Sequence, residues 1–464
     1  MQSSGSRLFS LLWAFAVVSS LATSLDFAES PSGLALGASL VLSAGVILFR
    51  TGAAWVLSIN SLLWLAFVAL SLPALPNHRL VLALIAATTL TGGFLKPATP
   101  DADWRRRQST MRGLLVIVYL FAVAAKLNTT YFEVERSCAA KFMRESLLLH
   151  GIITGSAHES LKASVAIWWG IAGEALVVLL LLMPRARSLG VLLGVSLGML
   201  LHLSFATSFL QHFQNFSAVM LVLLAAWLNE AQARRVLEQN PLLWRMAPWL
   251  ASMVFGSSLL ESCGLMSFPS ALALRYTSFL VFYGWLLVAI VVALTSRRAA
   301  APAEGPDGGR RSAVPPFWPI LALALMNGMC PYLGVKTRSS FSMYSNLRID
   351  ARSSNHLFMP TSPDSLGFLS DTGGELSDGS GSPVMIAGQP VFELPYIAIC
   401  AYIAGMEAPA WQGSRPSSLS FVRYGVRRSV RPGDPLPPDC PGWLARKLLF
   451  FAPVGPASEA LCVW

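Results

Sequence analysis

Apolar runs between residues 8 and 335 constrain the fold of this 464-residue chain more than any other feature. Each run holds about sixteen to twenty-three mostly apolar residues, and short polar connections separate the runs. An α-helix rises about 1.5 Å per residue, so about 20 residues cross the roughly 30 Å of hydrocarbon in a bilayer. With 54% hydrophobic and 12% charged residues, the chain is more apolar than a typical soluble domain. The pattern predicts a protein that crosses a membrane many times.

Eleven runs qualify as candidate spans, and because three of them are marginal we expect nine to eleven transmembrane helices. The marginal runs are 34–49, 215–229 and 247–267. Residues 8–24 also resemble a cleaved signal peptide, and we favour a retained span because no Ala-x-Ala cleavage site is obvious. The eleven candidates cover 8–24, 34–49, 53–74, 80–95, 113–128, 162–183, 188–210, 215–229, 247–267, 273–295 and 316–335.

Basic residues fall in alternate connections between these spans, which predicts the orientation of the chain. Cytoplasmic loops of membrane proteins carry the excess of lysine and arginine. We therefore expect a multi-pass membrane protein with a cytoplasmic N-terminus and an extracytoplasmic C-terminus. The net charge of +10 is spread over short loops without a DNA-binding pattern, which argues against nucleic acid as a partner. The clusters contain Arg7; Arg50; Lys96, Arg105, Arg106, Arg107 and Arg112; Arg185 and Arg187; Arg234 and Arg235; and Arg297, Arg298, Arg310 and Arg311.

The chain becomes more polar after about residue 335, which predicts two domains. We expect an all-α polytopic membrane domain over 1–335 and a small β-containing extracytoplasmic domain over 336–464. Partial alternation of β-branched and aromatic residues predicts strands within 339–349, 390–404 and 419–430. The Gly- and Ser-rich stretch 370–383 reads as a flexible loop.

Cysteine and histidine usage bears on the compartment and on metal binding. The six cysteines lack CxxC spacing, so no metal site is predicted. An oxidising compartment would permit a disulfide among those expected outside, but the sequence leaves their connectivity open. All six histidines map to the outer side of the predicted topology: His78, His150, His158, His202, His212 and His356.

Lys126 stands at the end of the fifth candidate span, in "AVAAKLNTT". In one interpretation it snorkels, with its stem in lipid and its ammonium at the interface. In the other it faces a cavity, partly desolvated, where the free amine acts as a base. Periodicity alone does not separate these interpretations.

Other polar residues carry similar alternatives. Glu174 lies within the sixth span, where an acidic residue costs roughly 2.5–3.5 kcal/mol on insertion scales, so it either bonds a neighbouring helix or lines a cavity. His202, in the outer part of the seventh span, either meets Lys126 across a cavity or bonds between helices. Four residues of the outer segment either cap the site or, in the case of the asparagines, hold turns: Tyr332, Asn346, Asn355 and His356.

Five stretches, in order, resemble one known family. They are "LPNHRLVLALIA" at 75–86, "AVAAKLNTTYFE" at 122–133, "GIAGEALVVLLLLMPRARSLGVLLGVSLGMLLHLSF" at 170–205, "QHFQNFSAVM" at 211–220 and "NGMCPYLGVKTRSSFSMYSNLRIDARSSNHLFMP" at 327–360. Together they are similar to the vitamin K-dependent gamma-glutamyl carboxylase family and its bacterial relatives, called the HTTM or carboxylase-like membrane proteins. The resemblance is to bacterial members with a Lys-Leu-Asn motif and covers most of residues 75–360.

The resemblance implies a role for several residues. In the carboxylase a lysine amine deprotonates reduced vitamin K, whose oxygenation yields the base that removes a glutamate proton before carbon dioxide adds. That lysine corresponds to Lys126, and the histidine and asparagine beside the quinone correspond to His78 and Asn77. The chain departs from the carboxylase at Ala125, where that enzyme has a second lysine, and at Asn128, where it has an aspartate.

Two hypotheses follow. In the first, the protein is a membrane enzyme of carboxylase- or epoxidase-like type with an outward-facing cavity and a reduced quinone of the vitamin K or menaquinol type. Lys126 and His78 are then catalytic, and the substrate is bound by Asn77, Asn128, Glu174, His202, Tyr332, Asn346, Asn355 and His356. In the second, it is a non-catalytic transporter or partner-binding scaffold in the bilayer, and no particular protein partner is indicated. The enzyme hypothesis requires four side chains to share one cavity: Asn77, His78, Lys126 and His202.

Overall fold

The structure is a computed structural model, and it describes residues 3–22, 31–50, 54–73, 75–94, 100–144, 159–184, 187–207, 213–296, 315–342, 345–349, 354–359, 361, 363–378, 381–382, 384–386, 389–391, 393–406, 416–449 and 451. Three histidines and one cysteine of the sequence analysis lie outside these residues: His150, His158, His212 and Cys462.

Helices dominate the part of the chain before residue 330. They are α1 (Ser4–Ala22), α2 (Pro31–Phe49), α3 (Ala54–Ser71), α4 (Asn77–Phe94), α5 (Pro100–Lys126), α6 (Thr129–Phe132), α7 (Cys138–Arg144), α8 (Glu159–Leu181), α9 (Arg187–Ala206), α10 (Phe213–Ala225), α11 (Glu230–Gln239), α12 (Pro241–Ser262), α13 (Phe268–Thr295) and α14 (Trp318–Met329).

Seven of the described helices are long and apolar enough to cross a membrane: α1, α2, α3, α5, α8, α9 and α13. Helices α10 and α14 are apolar but shorter. Two further predicted spans, in α4 and α12, are helical but do not belong to the seven. Polar residues dilute both of them, His78 and Arg79 in α4 and Arg245 and Glu261 in α12. The protein is thus confirmed as helical and multi-span in type, whereas the count of nine to eleven stays a prediction.

Contacts divide the chain into two compact units. The first unit comprises Met1–Phe67, Val81–Leu120 and Phe142–Ala324. Its centre is α1, which packs against α2, α10 and α12. The ring of Phe15 stacks on Phe282 at 4.0 Å, and the Trp13 indole donates to Asn60 Oδ1 at 2.8 Å. Apolar and aromatic side chains therefore supply most of the interior of this unit.

Small residues bring α9 close to its neighbours in the first unit. A Cβ atom on Gly194 would lie 2.8 Å from the Leu181 side chain of α8, and one on Gly198 would lie 2.8 Å from Leu224 of α10. Glycine at these two positions lets the helix backbones approach, as is common between membrane helices. The close approach holds the following turn of α9, which carries His202, deep in the unit.

The second unit comprises Val68–Leu80, Phe121–Lys141 and Leu325–Trp464. It contains a four-stranded antiparallel sheet of order β4-β1-β5-β6 and the short pair β2–β3. The elements are β1 (Thr372–Asp378), β2 (Met385–Ile386), β3 (Gln389–Pro390), β4 (Glu393–Pro395), α15 (Tyr396–Ile403), β5 (Leu419–Arg423), β6 (Val426–Val430) and α16 (Trp443–Leu448).

The strand structure predicted within 419–430 is confirmed, and the structure shows that it is a hairpin. Strands β5 and β6 pair from Leu419–Val430 to Arg423–Val426, and the two residues between them have positive φ, 52° at Tyr424 and 76° at Gly425. Positive φ at both central residues is typical of the type I′ turn, whose backbone twist matches the twist of the two strands that it connects. Alternate residues of β5 are buried, as the alternating sequence indicates.

The other sequence predictions for this unit are wrong or only partly confirmed. The supposed flexible loop at 370–383 contains strand β1. The range 390–404 contains strand β4 and the end of β3, but most of it is helix α15. Within 339–349 the described residues make only an isolated bridge from Ile349 to Ser354. In strand β1, a Cβ on Gly373 would lie 2.4 Å from the Ile399 side chain of α15, so a larger residue would force that side chain to move. A residue that looked like a linker signal therefore occupies a closely packed position.

Candidate functional site

Lys126 is the last residue of α5 and is enclosed by protein. Its side chain is 2% exposed, whereas Leu120 on the same helix is 54% exposed. Its Nζ donates to Ala122 O at 3.3 Å. Residues of α5 that face lipid should be exposed when the protein alone is considered, as Leu120 is. The burial of Lys126 is therefore what a lysine directed into the protein would show.

Asn128, two residues after Lys126, binds main-chain groups on both sides. Its Nδ2 donates to Ala125 O at 2.8 Å and also to Ser345 O. Its Oδ1 accepts from Tyr131 N at 2.9 Å, which caps the N-terminus of α6. The side chain thus ends α5, starts α6 and attaches the later segment around Ser345.

Asn346 and Asn355 extend this attachment. Asn346 Oδ1 accepts from Cys138 N at 2.7 Å, and its Nδ2 donates to Arg136 O at 3.0 Å. Asn355 Nδ2 donates to Asn346 O at 2.8 Å and to Thr130 Oγ1 at 3.0 Å. We call Asn128, Asn346 and Asn355 the asparagine network. These contacts use the amides largely for main-chain groups, which agrees with the interpretation of Asn346 and Asn355 as residues that hold turns.

His356 and Tyr332 pack beside the end of α5. His356 Nε2 lies 3.0 Å from Ala124 O, and its Nδ1 accepts from Phe358 N at 3.3 Å. The Tyr332 ring lies 5.4 Å from the His356 ring and 6.2 Å from that of Phe121. The buried Tyr332 hydroxyl has no hydrogen-bond partner in the part of the chain that the structure describes. It is therefore a group that a ligand would satisfy.

Asn77 and His78 are the first two residues of α4. Asn77 is buried and its Oδ1 accepts from Phe341 N at 2.9 Å, and the nearby Ser339 hydroxyl donates to Leu75 O. The His78 side chain is partly buried. Ser339 and Phe341 have left-handed backbone conformations, with φ of 55° and 62°. Such conformations cost non-glycine residues of order 1–3 kcal/mol and persist where surrounding contacts hold them.

Basic side chains accumulate in the same unit. Arg79 and Lys126 are buried, and Lys336 Nζ donates to Ser339 O at 3.1 Å. Burial lowers the pKa of the Lys336 ammonium below its usual range and that of Arg338 to about 10. Sequence reasoning missed Lys336 and Arg338 as site candidates. Their signal was two basic residues directly after the last apolar run.

Glu174 and His202 belong to the first unit. His202 Nε2 lies 2.7 Å from the Tyr119 hydroxyl of α5, and the buried Glu174 of α8 lies near Tyr119. The rings of Phe205 and Phe216 meet the His202 imidazole edge to face. We call Tyr119, Glu174 and His202 the span cluster. Sequence reasoning missed Tyr119, because one hydroxyl in an apolar run does not show which way its ring points.

The structure therefore brings the predicted site residues together in groups. Asn128, Asn346, Asn355 and His356 surround the end of α5, with Tyr332 against His356. Asn77 attaches to the neighbouring stretch at Phe341, and Glu174 and His202 lie in the other unit. The convergence of Asn77, His78, Lys126 and His202 on one cavity stays a prediction.

No group of three His, Cys, Asp or Glu side chains within the described ranges could hold a metal ion. Comparison of the chain with family models, curated proteins and solved structures found no match.

Proposed function

We propose that the protein is a multi-span membrane enzyme in which Lys126 acts as a base on a quinol or another lipid-like hydroxyl compound. The observation that carries the proposal is the burial of Lys126 at the end of α5, in contrast to the exposed Leu120 earlier on the same helix. A lysine that merely snorkels would expose its stem. An enclosed lysine in a membrane protein is a functional candidate by default, because removing its charge from water is costly.

The proposed chemical step is a proton transfer. The lone pair of the neutral Lys126 amine takes a proton from the substrate hydroxyl, so an N–H bond forms, the O–H bond breaks and an oxyanion remains. General-base catalysis of this kind contributes typically about 10²–10⁴-fold to a rate. Cations such as Arg79, Lys336 and Arg338 in the same unit would favour the anionic product.

Other residues have supporting roles in this proposal. His78 and Asn77 flank the substrate, as the resemblance to the carboxylase implies, and the Tyr332 hydroxyl offers it a hydrogen bond. The asparagine network holds the end of α5 in place, with His356 beside it.

The proposed site opens outside the cytoplasm of a bacterial inner membrane. Cys400 and Cys440 form a disulfide, and Cys138 is also disulfide-bonded. Disulfides persist mainly in oxidising compartments, which supports an extracytoplasmic second unit. A reporter that is active only outside the cytoplasm, fused after residue 464, should be active. Activity only of a cytoplasmic reporter at that position would refute the orientation.

Quinol turnover tests the role of Lys126. The purified protein in lipid nanodiscs is incubated with reduced menaquinone-type quinols in air-saturated buffer, with and without carbon dioxide, and quinol consumption is followed by absorbance. We expect turnover to fall by about 10²–10⁴-fold in Lys126→Ala. Lys126→Arg should fall similarly, because a guanidinium keeps the charge but does not act as a base.

Lys141→Ala supplies the matched control, since this lysine is exposed and should leave turnover unchanged. Size-exclusion chromatography of each variant checks folding. Equal quinol turnover in the unmodified protein and Lys126→Ala would refute the proposed base.

The second candidate is a non-catalytic transporter or partner-binding scaffold in the bilayer. It is favoured by the asparagine network, whose amides largely serve the main chain. Absence of any quinol turnover by the unmodified, folded protein would favour this candidate.

A further inference from the structure

Helix α16 exposes apolar side chains that a helix facing water would normally bury. Trp443, Leu444 and Leu448 are 62%, 61% and 49% exposed. Arg446, in contrast, is buried and donates from its guanidinium to Pro441 O at 2.8 Å. A surface helix in water places its apolar residues inward and its charged residues outward. This reversed arrangement indicates a nonaqueous neighbour.

A hydrogen bond fixes the apolar face of α16 beside the end of a membrane span. Residues 443 and 447 are four positions apart, as are residues 444 and 448, so each pair forms a row along the same side of the helix. Lys447 on this face donates to Leu72 O at 2.7 Å. Leu72 directly follows α3, one of the helices able to cross a membrane. A span formed by α3 would leave the hydrocarbon at this residue, and α16 is bonded to it.

A second exposed apolar site, the pair Leu357 and Phe358, is hydrogen-bonded to the end of another predicted span. Phe358 is 74% exposed and Leu357 is 48% exposed. Leu357 N donates to Leu127 O at 2.9 Å, and Leu127 directly follows α5. The two apolar points thus share one relation: each is bonded to the residue at which a membrane-spanning helix has just ended.

We propose that α16 and the Leu357–Phe358 pair insert into the boundary between lipid headgroups and acyl chains. Tryptophan prefers this boundary, and lysine can place its stem in lipid with its ammonium among headgroups. The bilayer is favoured over a protein partner because both points continue the surface of helices that themselves face lipid. The disulfide from Cys440, three residues before α16, to Cys400 of α15 then ties the sheet region to the membrane surface.

Other exposed apolar residues of the same unit provide the contrast. Val426 is 53% exposed at the start of β6, and it pairs with Arg423 of β5. It belongs to the sheet and makes no described bond to the end of a span. Its side chain should therefore face water.

Spin labels test the depth of these positions. The protein is placed in lipid nanodiscs after Cys263→Ser and Cys330→Ser, which remove its described free thiols. Single labels are attached through Leu444→Cys, Phe358→Cys and Val426→Cys. Collisions with oxygen, which concentrates in lipid, are compared with collisions with a water-soluble nickel chelate. Leu448→Cys replaces Leu444→Cys if that variant fails to fold.

We expect oxygen to dominate at positions 444 and 358 and the nickel chelate to dominate at 426. Dominance of the nickel chelate at either 444 or 358 overturns the assignment for that point. Protection of 444 or 358 from both reagents overturns it in favour of a protein partner. None of these outcomes depends on the activity of Lys126.

Discussion

The asparagine network and the span cluster are both buried and polar, but their side chains bind different groups. In the network, Asn128 donates to Ser345 O and accepts from Tyr131 N, and Asn346 binds Cys138 N and Arg136 O. In the span cluster, Tyr119 and His202 bind each other, and the buried Glu174 lies near Tyr119. Amides that satisfy main-chain groups determine a local structure. Ionisable side chains that bind each other can instead exchange a proton, which suits them to chemistry more than to architecture.

Asn346→Ala tests the structural role of the asparagine network and should lower the stability of the protein more than any other substitution considered. It leaves Cys138 N and Arg136 O without their partner in a buried setting, at about 1–3 kcal/mol each, so we expect a loss of about 2–6 kcal/mol. The measurement is the apparent melting temperature in nanodiscs. Asn346→Gly should lose about 1 kcal/mol less, because Asn346 has a φ of 56° that alanine adopts poorly. A melting temperature unchanged in Asn346→Ala would contradict the architectural role.

Removal of the disulfide should affect the second unit next most. The double substitution Cys400→Ser and Cys440→Ser releases a cross-link between residues 40 apart, which is typically worth about 2–4 kcal/mol. Limited proteolysis should then cleave the sheet region faster while the fragments of α8 to α13 stay protected. Cys330→Ser, which replaces a free cysteine, is the control and should leave the cleavage rate unchanged. Equal acceleration of cleavage in both regions would show that the units do not unfold separately.

Tyr119→Phe tests the span cluster, and we expect it to change the stability of the protein much less than Asn346→Ala does. Hydrogen bonds between membrane helices average about 0.6 kcal/mol and reach about 1.7 kcal/mol. We therefore expect a small shift of melting temperature, together with a clear change in the nitrogen resonances of the His202 imidazole. A loss of stability as large as that of Asn346→Ala would mean that the span cluster is architectural as well.

The smallest expected effect is the loss of stability in the sheet region when acid protonates the carboxylates that bind Arg423. Arg423 binds Asp371 at 2.8 Å and Asp439 at 2.5 Å, and its hydrogen bond holds the pKa of the Asp439 carboxyl below its usual range. A lowered pKa in the folded state stabilises the fold above the ordinary value, about 3.9, and this contribution is lost as the pH falls through the lowered value.

Comparison of Asp439→Asn with the unmodified protein tests this loss. The near-ultraviolet circular dichroism of the two proteins, followed during acid titration, should show that the substitution weakens the sheet region at neutral pH and reduces its further loss in acid. The effect is small because the Asp439 side chain is half exposed. Identical acid profiles with equal neutral stability would contradict the role of this pair.

Particular residues show why some elements were predictable and others were not. The long apolar runs predicted helices because a bilayer requires every main-chain group to be bonded within its own segment. Strands β5 and β6 were predictable because alternation is a local pattern. Strand β1 was missed because Gly373 serves contact with Ile399, a residue distant in sequence. Helix α15 was missed because the isoleucines and tyrosines of "YIAICAYI" suit strands as well as buried helices.

The sequence by itself determined the class of the protein and the place of its unusual lysine at the end of a span. Both follow from hydropathy and spacing, which act along the chain. Only the tertiary structure decided that Lys126 is enclosed, that Asn128 and Asn346 bind main chain, and that Tyr119 meets His202. Those outcomes depend on the rotation of each helix about its axis and on contacts between residues far apart in sequence, which no local pattern encodes.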